Sequence, residues 1–421
     1  MDRRSLACAA TVSEQDHVVV IHRWRAEYVD YAAVLDHTAH RVSYVTTEVG
    51  LPRVPAPAAG VEIVAKTDDL EEVRRAVSRL AERHGPPRRI IALKEDDLLT
   101  AATLRDEWGC EGTKPDQALR FLDTLVMAEV VASRGLAVPP LAAVDSAEDV
   151  REFAAEHGWP VIVKPRIGSS SDGVARLDGP YDAKEIDFAA RPMLAQVFNP
   201  HPIYHVDGVY LDGRLAAFRA SRYVNNCLGF RTGDHLGSVE EDDPAIVSAI
   251  GAAAERFVGA FDTDPLVFHL ELFVAPATAT GAPECTFLEV GARVGGSEIP
   301  FLWREVHGYD LMAAALRLQL GEPLEKPVLK DDGVAGWLLV PSPARRPCRI
   351  TEVTPLSGRV PGLYAEALLD PGEVLPLADA YYEHVGGRFR FRGPTSRTVE
   401  DAIRIAAADF RISAEPVGDI A

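Results

Sequence analysis

The chain has 421 residues, 47% of them hydrophobic, and a formal net charge of −19. That length supports two or three cores, and the acidic balance excludes nucleic acid and anionic membrane surfaces as partners held by bulk charge. Five scattered cysteines (Cys8, Cys110, Cys227, Cys285, Cys348) form no C-x-x-C pair, which excludes a disulfide frame or zinc site and fits a reduced, cytoplasmic setting. No apolar run approaches the ~18 residues that span a bilayer.

Residues 1–16, with Arg3-Arg4 and a short LACAA run, read as a loose tail. Over 17–114, the runs HVVVIHR, RVSYVTTE and RRIIALKE predict strands. Between and after them, YVDYAAVLDHTAH, LEEVRRAVSRLAERHG (closed by Gly85) and LLTAATLRDEWG predict helices. This alternation predicts a parallel, Rossmann-like α/β layer. It lacks a G-x-G-x-x-G turn after its first strand, so no dinucleotide is implied. The loop His22-Arg23-Trp24-Arg25 is either a substrate element facing a cleft or a surface turn, and the pattern alone favours the turn.

Residues 115–195 predict a small α+β unit. It holds a helix over 115–134, the Pro139-Pro140 break, a helix over 146–157, and a strand Val161–Val163 that ends in Lys164-Pro165. A Gly/Ser loop follows, then a second strand from Val174. Gly168 and Gly173 have Walker A spacing, but Val174-Ala175 replaces Lys-Ser/Thr and the loop leads into a strand, so that motif fails. What remains is a glycine-rich β-hairpin with a lysine at its base. Ser169, Ser170, Ser171 and the loop N–H groups can cover phosphate oxygens, with Lys164 as the point charge. Taken alone, the loop is equally an ordinary turn.

Residues 196–421 predict a larger α+β unit. FHLELFV and TFLEV read as antiparallel neighbours carrying Glu271 and Glu289. Two such acids on one face repel and lose hydration unless a cation sits between them. Mg²⁺ suits that site because it takes hard oxygen ligands and shares its shell with phosphates. The alternative is a pair of edge-strand acids facing water. Gly-Ala-Arg-Val-Gly-Gly then sets Arg293 among glycines, including Gly295 and Gly296, that let backbone approach a ligand. His269 shares a strand face with Glu271 and either orients it or is a core histidine. The segment RASRYVNNCLGFR holds three arginines, of which Arg231, next to Gly229 and Gly233, is the candidate for phosphate or carboxylate. A helix near 309–320, a linker from Gly321, and short runs such as GWLLV predict a β-rich C-terminal piece closed by a helix at 398–408.

In this order, VIVKPRIGSSSDGV, MLAQVF, YHVDGVYLDGRL and FHLEL…FLEVGARVGG resemble the ATP-grasp superfamily of carboxylate–amine ligases. The resemblance runs over roughly 115–320. It is strongest to the dipeptide-forming L-amino acid ligase branch, whose members often read E-x-x-x-R-x-G-G. It implies an α+β ATP-grasp fold, two α+β subdomains sandwiching ATP, with the Rossmann-like domain before them and the C-terminal piece shaping the substrate pocket. Lys164 and the Gly168–Gly173 loop would hold ATP phosphates, Gln196 and Phe198 would lie at the adenine hinge, and Asp207 near the ribose; by its position His205 is either a ribose or adenine contact or plays no part in nucleotide binding. Glu271 and Glu289 would bind Mg²⁺ (or Mn²⁺). Arg293, with Gly295 and Gly296, would hold the acyl phosphate or substrate carboxylate.

The implied activity is an ADP-forming carbon–nitrogen ligase joining a carboxylate, such as an amino acid, to an amine in specialised-metabolite (antibiotic-type) biosynthesis. The implied partners are small molecules, and a homodimer is compatible with them. A formyl-phosphate-type ligase and an ATP-binding protein without turnover are the alternatives. Three departures stand out. The family's Asp-Lys pair is Asp123-Thr124, leaving Arg120 or Lys114 to supply a phosphate contact. Gly291 stands where many members have Asn, and Gln196 replaces the commoner hinge glutamate.

Overall fold

The structure, a computed structural model, describes residues 16–417 apart from 226, 278–280, 331 and 378–383, and without the side chains of 184, 185 and 231. The expected tail therefore lies, except for Asp16, outside the described residues. The N-terminal sheet is parallel, in the order Gly60–Ile63, Arg41–Thr46, His17–His22, Arg89–Ala92. Its strands His17–His22 and Arg89–Ala92 are buried on both faces, as a parallel sheet between helices requires, while the edge strand Gly60–Ile63 is partly exposed. Leu70–His84 forms the helix expected there: Asp69 caps its start, Val73, Ala76, Val77 and Leu80 form its buried stripe, and Gly85 closes it at φ +85°. The helix expected in YVDYAAVLDHTAH shrinks to Tyr31–Val34. Asp36 takes the N–H groups of Thr38 and Ala39 into a local turn that competes with further helix.

The helix expected over 115–134 is two, Pro115–Leu119 and Thr124–Ser133, because Asp123 caps the second by accepting from Leu125 and Val126 N–H. The small antiparallel sheet runs Leu141–Val144, Met193–Val197, Val161–Pro165, Ala175–Leu177. Gln196 thus belongs to this sheet, beyond the boundary expected at 195. Conversely, Met127 and Val131 of the second helix pack into the core of the larger sheet.

That larger sheet has eight antiparallel strands. Their order is Glu284–Gly291, Leu266–Ala275, Ile203–Leu211, Arg214–Tyr223, Leu236–Glu240, Val334–Val340, Gly387–Gly393, Leu363–Leu368. The C-terminal strands therefore extend the sheet that carries the two acids. One face is covered by a helix the periodicity did not predict, Pro244–Gly259, although Asp243-Pro244 is a cap followed by proline at the first helical position. It buries Ile250, Ala254, Phe257 and Val258 against Phe268 and Leu270. Over the other face, helices Ile299–Glu305 and Leu311–Leu320 share a core with Val18, Val20 and Ile91 of the N-terminal sheet. Among the described residues no helix is long and apolar enough to cross a membrane.

Candidate active site

Glu271 and Glu289 stand directly opposite each other on paired antiparallel strands, next to a register shift that leaves Leu288 unpaired. Lys164, nearly buried on the small sheet, reaches across so that its Nζ lies 3.4 Å from Glu289 Oε2. The Tyr223 hydroxyl donates to Glu271 Oε1 at 2.6 Å, and His269 Nε2 lies 3.7 Å from the same oxygen. The two acids therefore differ. Burial works against the charge of Glu271, but the bonds from His269 and Tyr223 outweigh it and hold the carboxyl below its usual range. Glu289 is open to the cleft over 42% of its side chain, yet the surrounding protein displaces enough water to push its pKa up. Lys164 opposes that rise while Glu271 and Glu95 add to it. Hard oxygen donors and adjacent, destabilised negative charge fit a divalent cation.

Beneath the acids lies a buried chain of polar groups. His269 Nδ1 donates to Asp207 Oδ1 at 2.8 Å and His205 Nδ1 to Asp207 Oδ2 at 2.7 Å, while His205 Nε2 meets Ser238 Oγ at 2.7 Å. Burial would raise the Asp207 carboxyl, but the charge of His269 and the two histidine bonds bring it well below its ordinary value. Burial would lower His269, but Asp207 beside it lifts its pKa to about 9. Asp207→Asn leaves that cation without its partner. Breaking a buried pair in this way costs about 3–5 kcal/mol, to be read as a lower urea midpoint in metal-free protein. His269 rises from 6.5 to about 9 on folding, so its contribution is full below pH 6.5 and is lost as pH climbs through 9. The gap between wild type and variant should therefore narrow across that window.

Arg293 projects into the same cavity. Its Nη2 donates to Glu95 Oε2 at 2.6 Å and its Nη1 to the Val294 carbonyl at 3.2 Å, while its Nε is buried without a hydrogen-bond partner among the described residues. The glycines around it are there for space. A Cβ at Gly291 would sit 3.2 Å from Arg293 Nε and 3.4 Å from Glu95 Oε1, so an asparagine there would crowd the pair. A Cβ at Gly295 would come within 2.8 Å of His269 Nδ1 and run into Asp207. The Gly/Ser loop lines the cavity with Ser169, Ser170 and Ser171. Ser169 donates to Asp96 Oδ1 at 2.7 Å, and Ser170 and Ser171 hold left-handed φ of +57° and +58°, a costly conformation for serine.

Several expected residues lie elsewhere. Asp207 and His205 do not line the cavity; both are buried under it with their polar atoms mutually engaged, which corrects the expected ribose contact. Gln196 and Phe198 also stay out of it. Gln196 is buried within the small sheet, paired with Leu141 and Ile162, and Arg176 lies 4.4 Å over the Phe198 ring. The Arg231 side chain lies outside what is described. Neither stand-in for Thr124 turns to the site. Lys114 donates to the Arg105 and Cys110 carbonyls, and Arg120 sits over Phe261. Beside Thr124, Arg166 instead clamps Asp123 at 2.6 Å.

Other cavity residues were missed or given the weaker reading. Trp24 and Arg25 line the cavity, so the loop read mainly as a surface turn reaches the cleft; Leu93, Lys94 and Glu95 line it too. These two segments follow the strands His17–His22 and Arg89–Ala92, adjacent in the sheet at the point where the strand order reverses. Crevices beyond the C-terminal ends of strands at such a point are where open parallel sheets bind ligands. That signal could have found Glu95.

No family model matches the chain. It is 24% identical over 351 residues to the L-arginine-specific L-amino acid ligase of Bacillus subtilis, covering 79% of this chain and 82% of that one. The L-amino acid ligase structure from Bacillus licheniformis superposes with a TM-score of 0.71 at 16% identity, over 96% of this chain and 99% of that one. N5-carboxyaminoimidazole synthetase from Staphylococcus aureus, solved with ADP, gives 0.66 at 14% identity over 95% and 100%. The chain thus has the ATP-grasp fold, and in both sequence and structure it is similar to the L-amino acid ligases.

Proposed function

We propose that the protein is an ATP-dependent, ADP-forming ligase that activates the carboxylate of an amino acid as an acyl phosphate and couples it to an amine. The observation that carries this reading is the Glu271–Glu289 pair facing Lys164 across the two sheets, with Arg293 on the same cavity. A substrate carboxylate oxygen attacks the γ-phosphorus of ATP and ADP leaves. The amine then attacks the acyl carbon, phosphate leaves, and the amine proton passes to solvent.

Lys164 and the Ser169–Ser171 loop bind the phosphates, and Arg293 orients the planar carboxylate through its fork. Ser169, tied to Asp96, keeps the loop over the cavity and helps to exclude water from the acyl phosphate. Mg²⁺ held by Glu271 and Glu289 would neutralise charge on the transferring phosphoryl group. The reading without turnover leaned on Thr124 and Gly291; Gly291 instead makes room for Arg293 and Glu95. Similarity to L-amino acid ligases supports a small-peptide specialised metabolite as product, and the free cysteines among the described residues, Cys110, Cys227, Cys285 and Cys348, support a cytoplasmic setting.

The test is isotopic. With ¹⁸O in the substrate carboxylate, label should appear in the released phosphate, ADP should be the nucleotide product, and activity should vanish with EDTA and return with Mg²⁺. AMP and pyrophosphate as products would replace the acyl phosphate with an adenylate.

A further inference from the structure

Beyond Arg293, the cavity of about 460 Å³ is walled by Trp24, Tyr28, Phe230, Met312, Trp337 and Leu368. Its size is that of a small-molecule site. Trp24 and Tyr28 are already packed edge to face, with centroids 5.4 Å apart.

Three arginines border this apolar end, and each has a carboxylate. Arg25 meets Glu373 at 2.5 Å, Arg53 meets Glu27 at 3.3 Å, and Arg388 meets Glu298 at 3.0 Å. The acids that line the cavity among the described residues are Glu95, Glu271 and Glu289, all at the metal end, and Glu95 is held by Arg293. A cationic side chain entering here would lose its hydration beside three guanidinium groups and meet, among the described residues, only acids already paired with them. An anionic one would have to displace a carboxylate already paired. An apolar side chain meets neither cost and gains with every part of its surface that it buries.

We infer that the protein selects an amino acid with a large apolar side chain, aromatic before aliphatic, unlike the arginine for which its Bacillus subtilis relative is named. The inference rests on the ligase reading for the amino-acid backbone, but the side-chain pocket is testable by binding alone.

Tryptophan fluorescence and calorimetry, with Mg²⁺ and ADP present, would follow titration with L-phenylalanine, L-leucine, L-arginine and L-glutamate. Phenylalanine should bind at least about tenfold tighter than arginine or glutamate, with leucine between, the scale that pocket fit commands. Phosphate release should rank them alike. Leu368, partly exposed at the end of an edge strand, lines the cavity and also packs against the neighbouring core, so a thermal melt of its variant accompanies the binding measurement. Leu368→Glu should cut the phenylalanine-to-arginine ratio by about tenfold or more and leave ADP affinity unchanged. Trp24→Ala, on a partly exposed loop, should weaken phenylalanine while sparing arginine.

Arginine or glutamate bound as tightly as phenylalanine overturns the inference, as does an unchanged ratio in both variants. Phenylalanine binding without turnover would sink the ligase reading and leave the pocket standing. Turnover with arginine as best substrate would do the reverse, and binding of no amino acid would remove both.

Discussion

Glu289→Gln is expected to lower turnover by about a thousandfold, roughly 4 kcal/mol of barrier, while the protein stays folded. The two halves of that expectation have separate causes. Glu289 sits on an edge strand with its side chain open to the cleft, and its charge is held at a cost against Glu271 and Glu95. A neutral isostere relieves that repulsion, so the thermal midpoint should change little. The carboxylate it removes is one of the two hard donors facing Lys164, and an amide oxygen replaces it poorly at a divalent cation. Phosphate-release kinetics beside a thermal melt would separate the effects. Normal turnover in this variant would take Glu289 out of the metal site.

Arg293→Lys is the second large effect. It should lower kcat/KM for the amino-acid carboxylate by about a hundred- to a thousandfold, the scale seen when one aimed donor is lost, with ATP affinity little changed. Arg293 spends one nitrogen on Glu95 and one on the Val294 carbonyl, and its buried Nε has no partner among the described residues. A planar fork can release Glu95 and take a substrate carboxylate through two parallel bonds. Lysine keeps the charge and loses the geometry. Calorimetry for ATP beside kinetics for the amino acid would decide the matter. Collapse of ATP binding with an unchanged KM would give Arg293 to the nucleotide and make Arg231 the next substrate anchor to test.

The chemistry most legible in the sequence was local. Glu271 and Glu289 lie in two apolar runs whose pairing follows from proximity along the chain, and Lys164 precedes its glycine loop directly. Glu95 was legible only through the strand order that sets it at the crevice; its docking on Arg293, almost two hundred residues away, has no local signal, because a glutamate in the first turn of a helix is ordinary. Tyr223 likewise reaches Glu271 only across the intervening strand Ile203–Leu211. Asp207 was misplaced for the opposite reason. No pattern shows that two histidines will enclose one carboxylate beneath a cleft. The break at Asp123 and the helix Pro244–Gly259 show the same limit on the fold, since caps decided both while the apolar period was uninformative.

The eight-stranded sheet ties these parts together in a way that bears on descent. Its acids hang from one edge, on Leu266–Ala275 and Glu284–Gly291, and part of the pocket wall hangs from the far edge, on Leu363–Leu368. Six of the eight strands separate Glu289 from Leu368 along the sheet, counting neither end strand. Substitutions at the far edge can accumulate without disturbing the acids, so duplicated copies of such a gene are free to acquire new tastes while inheriting one chemistry. For an engineer the same layout separates the positions to randomise from the positions to leave alone.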